Sequence, residues 1–132
     1  MKASGRFASN KWVQSETVRV VTCDALIEQY GLPAFVKIDV EGFERNVLQG
    51  LSHPIRCLSL EFIPEYLDNT LACMDIVEKL ASCRYNFSRD TREMRFSSWV
   101  DREELIAYLR SSAQDVFFTG DIYVQMGSPF RN

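Results

Sequence analysis

The stretch from residue 36 to residue 51, VKIDVEGFERNVLQGL, changes its period half-way along. Phe35, Val36, Ile38 and Val40 make a mostly apolar run, which predicts a strand over Phe35–Val40 buried on both faces, as in a parallel sheet. From Glu44 to Leu51 the pattern turns helical: Phe43, Val47, Leu48 and Leu51 share one face, and Gly50 with the later Pro54 marks the end. Gly42 lets the backbone turn tightly between the two. Lys37, Asp39, Glu41 and Glu44 crowd this junction. Alternation along a strand points Asp39 and Glu41 the same way, with Val40 opposite. Glu44 falls in the first helical turn, where the dipole favours a carboxylate.

On either side the same alternation of strand and helix continues. Thr17–Cys23, TVRVVTC, is β-branched and reads as a strand, followed by a short helix over Asp24–Tyr30 that stops at Gly31-Leu32-Pro33. Cys57–Ile63 reads as a third buried strand. Asn69 or Thr70 is expected to cap a helix running to about Ser82, with Leu71, Met74, Val77, Leu80 and Ala81 inward. A strand over Arg84–Arg89, a shorter one over Glu93–Ser98, and a helix opened by Asp101 and Glu104 follow, with Leu105, Ile106 and Leu109 as its apolar stripe. Val116–Met126 is expected to be extended and broken at Gly120-Asp121, ahead of a tail, GSPFRN. The whole reads as an α/β fold with helical crossovers, in which ligands bind outside the carboxyl ends of the strands.

With 132 residues, 46 % hydrophobic and 25 % charged, the chain reads as one soluble domain over 17–132 behind a flexible arm over 1–16. A net charge of -3 argues against a general nucleic-acid binder. No apolar run is long enough for a transmembrane helix and the N-terminus lacks a signal-peptide core, so no membrane and a cytoplasmic location are expected. The four cysteines form no CxxC pair and there is a single histidine, His53, so no zinc site is assigned. The cysteines are read as reduced, small core residues.

The candidate site lies at the end of the opening strand. Glu61 ends the charged part of the third strand, and falls near Asp39 if the two strands are neighbours. A carboxylate at a strand end also serves simply as a helix cap or an ion-pair partner, and Lys37 can pair with Asp39 or Glu61 for structure alone. Asp39, Glu41 and Glu61 together also suit Mg2+, which favours carboxylate oxygens, although no metal is assigned. Arg84, Tyr85, Phe87, Arg89, Arg92, Arg95, Phe96 and Trp99 interleave cations with aromatics. That pattern serves a single-stranded nucleic acid, an acceptor-recognition surface for sugars and phosphates, or an ordinary half-buried edge strand, which is the reading adopted.

These residues carry a resemblance. V-x-V-V-T-C-D-A-L, then F-V-K-I-D-V-E-G-F-E-R-N-V-L-Q-G-L, then L-S-L-E-F resembles the FkbM-type methyltransferases, through Thr22, Asp24, Lys37, Ile38, Asp39, Val40, Glu41, Gly42, Glu44, Val47, Leu48, Gly50 and Glu61. The resemblance is closest over residues 18–63, with Cys23 in place of the usual leucine. It implies a Rossmann-like class I methyltransferase sheet, mostly parallel with an antiparallel edge, and S-adenosylmethionine as cofactor. It also implies O-methylation of a small-molecule acceptor, a sugar or secondary metabolite. Asp39 and Glu41 would face the methyl-transfer site as base or acceptor-orienting groups, with Glu61 binding the acceptor and Lys37 keeping the acids ionised. Asp24 would receive the cofactor's adenine amino group, or serve only as a helix N-cap. The family's glycine-rich turn, D-x-G-A-N-x-G, and its F-E-P strand end have no counterpart here. The chain therefore resembles the C-terminal portion of such an enzyme, and a homo-oligomer or a partner supplying the missing strands is expected. The alternative is a non-catalytic assembly module that dimerises through an exposed sheet edge.

Overall fold

The computed structural model describes residues 15–112, 114, 115 and 117–127. The arm expected over residues 1–16 lies outside these but for Ser15 and Glu16, as does the tail beyond Gly127.

The β-branched run before Asp24 does not form a strand. Residues 17–22 are exposed and unpaired, with Val18 71 % and Val20 87 % accessible. Strand propensity needs a neighbouring strand to pair with, and no described strand lies alongside. Helix α1, Cys23–Tyr30, starts one residue earlier than expected: the Thr22 hydroxyl, not Asp24, accepts the Ala25 amide at 3.1 Å. Gly31, with φ 86°, closes it.

Strand β1, Val36–Ile38, leads through a tight turn into helix α2, Glu44–Gln49. Strand β2 spans Cys57–Phe62, and a short 3-10 turn, Pro64–Tyr66, feeds helix α3, Leu67–Leu80. Pro64 sets φ for that turn, so α3 begins before Asn69 and Thr70, and neither caps it. Strand β3, Cys83–Ser88, and helix α4, Arg102–Ser112, precede strand β4, Gly120–Met126. The Asp101 carboxylate accepts the Glu104 amide at 2.9 Å, as its spacing predicts. Glu93–Ser98 forms bends rather than a strand, although Asn86 Nδ2 donates to the Phe96 carbonyl and Asn86 Oδ1 accepts its amide. The side chain of Asn86 thus replaces a missing strand partner.

The sheet has the order β1-β2-β4-β3. The β1–β2 pair is parallel, and β4 runs antiparallel to both β2 and β3. Three strands share one direction, but only the β1–β2 pairing is parallel, so the sheet is mixed rather than mostly parallel. The opposed strand is not at the edge, however: β4 is inserted between β2 and β3, and β3 is the edge. The fold is a mixed α/β sheet. Gly120, expected to break the last strand, instead starts it, because a Cβ there would meet the Ser88 carbonyl oxygen at 2.3 Å.

One face of the sheet is apolar. Ile38, Leu58, Leu60, Phe62, Tyr85, Phe87, Ile122 and Val124 lie on it, packed with Leu48 of α2, Met74 and Val77 of α3, and Leu105 and Leu109 of α4. Phe62, Phe87, Tyr108 and Phe118 form an edge-and-stacked aromatic cluster at its centre. The other face carries Lys37, Ser59, Glu61, Asp121, Asn86 and Ser88, the alternate positions of the same strands. No helix among the described residues is long and apolar enough to cross a membrane.

Candidate functional site

Beyond β1 the chain reverses in four residues. The Phe43 amide donates to the Val40 carbonyl at 3.3 Å, while Glu41 has φ 52° and Gly42 φ 94°. Two consecutive left-handed residues make a type I′ turn. Gly42 adopts this freely. Glu41 does so at a cost of about 1–2 kcal/mol, so the surroundings must hold it. Glu44 does much of that holding and is almost completely buried. Its Oε1 accepts the Gly42 amide at 3.1 Å and its Oε2 accepts Asn69 Nδ2 at 2.9 Å. The carboxylate thus fastens the turn to α3, and its role is structural. Tyr66 packs so close that a Cβ on Gly42 would sit 3.0 Å from its ring.

The turn aims its acids at the end of β2. Asp39, Glu41 and Glu61 each offer a carboxylate oxygen within 4.8 Å of the others. The parallel register explains it: Ile38 pairs with Leu60, so Asp39 follows level with Glu61. Glu61 pairs in turn with Asp121, and Asp121 with Ser88. Asp39, Glu61, Asp121 and Ser88 thus form one row across the carboxyl ends of the parallel strands.

Lys37 does not pair with Glu61. Its Nζ lies 3.5 Å from Asp121 and 3.7 Å from Asp39. The Asp121 charge, and then that of Asp39, raises the Lys37 pKa against the opposing effect of partial burial. No cation among the described residues pairs with half-buried Glu61. Burial raises its pKa, and the charges of Asp39, Glu41, Glu44 and Asp121 raise it further. Glu61 therefore holds a proton more tightly than an ordinary glutamate. The Asp39, Glu41 and Glu61 oxygens have the hard-donor chemistry and spacing that suit a divalent cation.

Asp24 stands apart. Its Oδ1 accepts the Ser52 amide at 2.8 Å and lies 3.2 Å from His53 Nδ1, tying α1 to the loop after α2. The Ser52 bonds, with smaller help from His53, lower its pKa. It neither caps its helix nor reaches the acidic row. Asp121 escaped the sequence reading. An acid next to a glycine looked like a turn, and only the insertion of β4 beside β2 brings it to the site. Asn69 and Tyr66 were missed for a similar reason, since both act across α3 and its lead-in on a turn far behind them in sequence.

A family model described as a methyltransferase FkbM domain matches residues 2–95, more than half of the chain. The match covers the turn, Asp39, Glu41 and Glu61, and stops short of α4 and β4. No curated protein and no solved structure matches.

Proposed function

The chain belongs to the FkbM methyltransferase family, and on that premise we propose that it takes part in S-adenosylmethionine-dependent methylation of a hydroxyl on a small-molecule acceptor. The observation that supports this most is Glu61: a half-buried carboxylate with no cation paired to it among the described residues, its pKa raised, at the carboxyl end of the parallel strands beside Asp39 and Glu41. Proton removal from a hydroxyl needs a base within hydrogen-bond reach whose pKa is drawn toward the working pH. Glu61 fits that task better than Asp39, which its salt bridge to Lys37 engages.

In this reading S-adenosylmethionine supplies an electrophilic methyl group on a positively charged sulfonium. The carboxylates of Asp39 and Glu41 suit that charge. The acceptor hydroxyl would sit against Glu61, which would take its proton as the oxygen–methyl bond forms and the sulfur–methyl bond breaks, with S-adenosylhomocysteine as the leaving group. Lys37 restrains Asp39 and Asp121 so that both present fixed oxygens. Orientation of this kind supplies much of the rate in a displacement reaction.

The test is calorimetric titration of the chain, and of its Asp39→Ala variant, with S-adenosylmethionine and S-adenosylhomocysteine. Micromolar binding, about -8 kcal/mol, weakened in the variant, supports the reading. No heat at millimolar ligand overturns it.

A partner at the free edge of β1 is a further part of the reading. Among the described residues β1 pairs only with β2, helix α1 buries none of its residues, and Val20, Leu32 and Phe35 are exposed around them. Open edges beside apolar surface invite pairing with another chain. A second copy of this chain is the proposed occupant. Sedimentation that gives a monomer at every concentration removes it.

A further inference from the structure

Beyond β3 lies an open cleft of about 340 Å³ lined by Ser88, Arg89, Asp90, Glu93, Arg95 and Tyr108 among others. The two guanidiniums are held by rings rather than by acids. Arg89 lies 5.2 Å from the centre of the Phe118 ring, and Arg95 lies 5.0 Å from Tyr108 and 5.7 Å from Phe96. No carboxylate among the described residues forms a salt bridge with either. Asp90 turns its Oδ1 to the Arg92 amide at 3.0 Å instead. A guanidinium stacked on an aromatic face keeps its edge N–H groups free to donate.

The second observation is the place of the cleft on the sheet. Ser88 lines it and also closes the row that begins at Asp39. It lies two strands from Glu61, about 10 Å at the usual spacing of strands. A single small molecule spans that distance.

We propose that this cleft is an anion subsite of the acceptor: Arg89 and Arg95 hold a phosphate or carboxylate on the acceptor, and the hydroxyl to be methylated lies at Glu61. The acceptor class is then an anionic small molecule. This rests on the methyltransfer reading for its purpose, but not for its test. Guanidiniums bind such oxyanions through paired N–H groups, and Asp90 and Glu93 at the rim disfavour anions that miss that geometry.

The experiment is an amide-resolved NMR titration of the full chain with inorganic phosphate, at constant ionic strength against chloride. It needs no cofactor, so failure of S-adenosylmethionine binding leaves it unaffected, and its own failure leaves methyl transfer standing. Saturable shifts confined to residues around 87–95 are expected, weakened roughly ten-fold by Arg95→Gln, the loss of a charge-assisted hydrogen bond. Because Arg95 also packs on Tyr108, Arg89→Gln serves as the second variant. It should weaken phosphate to a similar degree while its amide spectrum stays that of the folded chain. A response spread over all surface cations, or one that either variant leaves intact, overturns the proposal.

Discussion

Lys37 Nζ reaches over β2 to lie 3.5 Å from Asp121 Oδ1, joining the first strand of the sheet to the last. Both residues lie on the face opposite the helices, and Asp121 is nearly buried there, its side chain 11 % exposed. Removing the cation strands an acid among acids. Lys37→Met is expected to destabilise the chain by roughly 1–3 kcal/mol. Asp121→Asn in the same chain should restore most of that loss, a coupling that a double-mutant cycle in urea measures.

Glu61 has the opposite problem, since Asp39, Glu41, Glu44 and Asp121 all bear on it with negative charge. Its folded pKa is raised. Its contribution to stability is therefore full below the ordinary glutamate value of 4.5 and is lost as pH rises through the raised one. Glu61→Gln should remove that decline, seen as a flatter series of thermal midpoints from about pH 4 to pH 7. The same variant should lower methyl transfer by about 10²–10⁴-fold, the usual contribution of a general base. Loss of stability together with activity would assign Glu61 to structure instead.

The reversal after β1 tolerates little. Gly42→Ala would place a Cβ at φ 94°, 3.0 Å from the Tyr66 ring. A loss of about 1–3 kcal/mol is expected from backbone strain and crowding together. Adding Tyr66→Leu should recover only the crowding, so a full recovery in urea denaturation would show that the backbone is unstrained.

Glu44→Ala leaves the Gly42 amide and the Asn69 amide group without their acceptor. Roughly 2–3 kcal/mol should be lost, and hydrogen exchange at Gly42 should quicken more than at Leu60, which tests whether the damage begins in the turn.

The thiols should be quiet. Burial pushes Cys73 up to about 12 and Cys83 to about 11, and raises Cys23 and Cys57 as well. Thiolate is the reactive form. A disulfide-exchange reagent at mild alkaline pH should label the native chain slowly and all four cysteines at once after unfolding in denaturant.

Much of this was legible in the residues. The period change over 36–51 located β1, the turn and α2, and the helical stripes named Leu48, Met74, Val77, Leu105 and Leu109, all fully or nearly fully buried. Phe43 was placed on the buried face but precedes the helix and is 48 % exposed. The failures share a cause: pairing between distant segments. TVRVVTC has strand chemistry without a strand beside it. Glu93–Ser98 has the alternation of a strand, yet the Asn86 side chain takes up the backbone groups of Phe96. Gly120-Asp121 looked like a break, because only the approach of Ser88 shows why a glycine is needed there. At the site, the row of Asp39, Glu41 and Glu61 could be inferred from a parallel neighbour, whereas Asp121 could not, since nothing local sets the position of β4.

That position has a consequence for the birth of the protein. Of the four strands described, β4 is made last, and it joins β3 to the β1–β2 pair. Until β4 leaves the ribosome, β2 and β3 share no hydrogen bonds, and each shows a bare ladder to other nascent chains. Long-range pairing of this kind is slow and exposes intermediates to aggregation. The site's electrostatics wait on the same event, because Lys37 meets its stronger counter-ion only when Asp121 arrives. The arrival of β4, rather than any step in the opening stretch, is the moment at which this site comes into being.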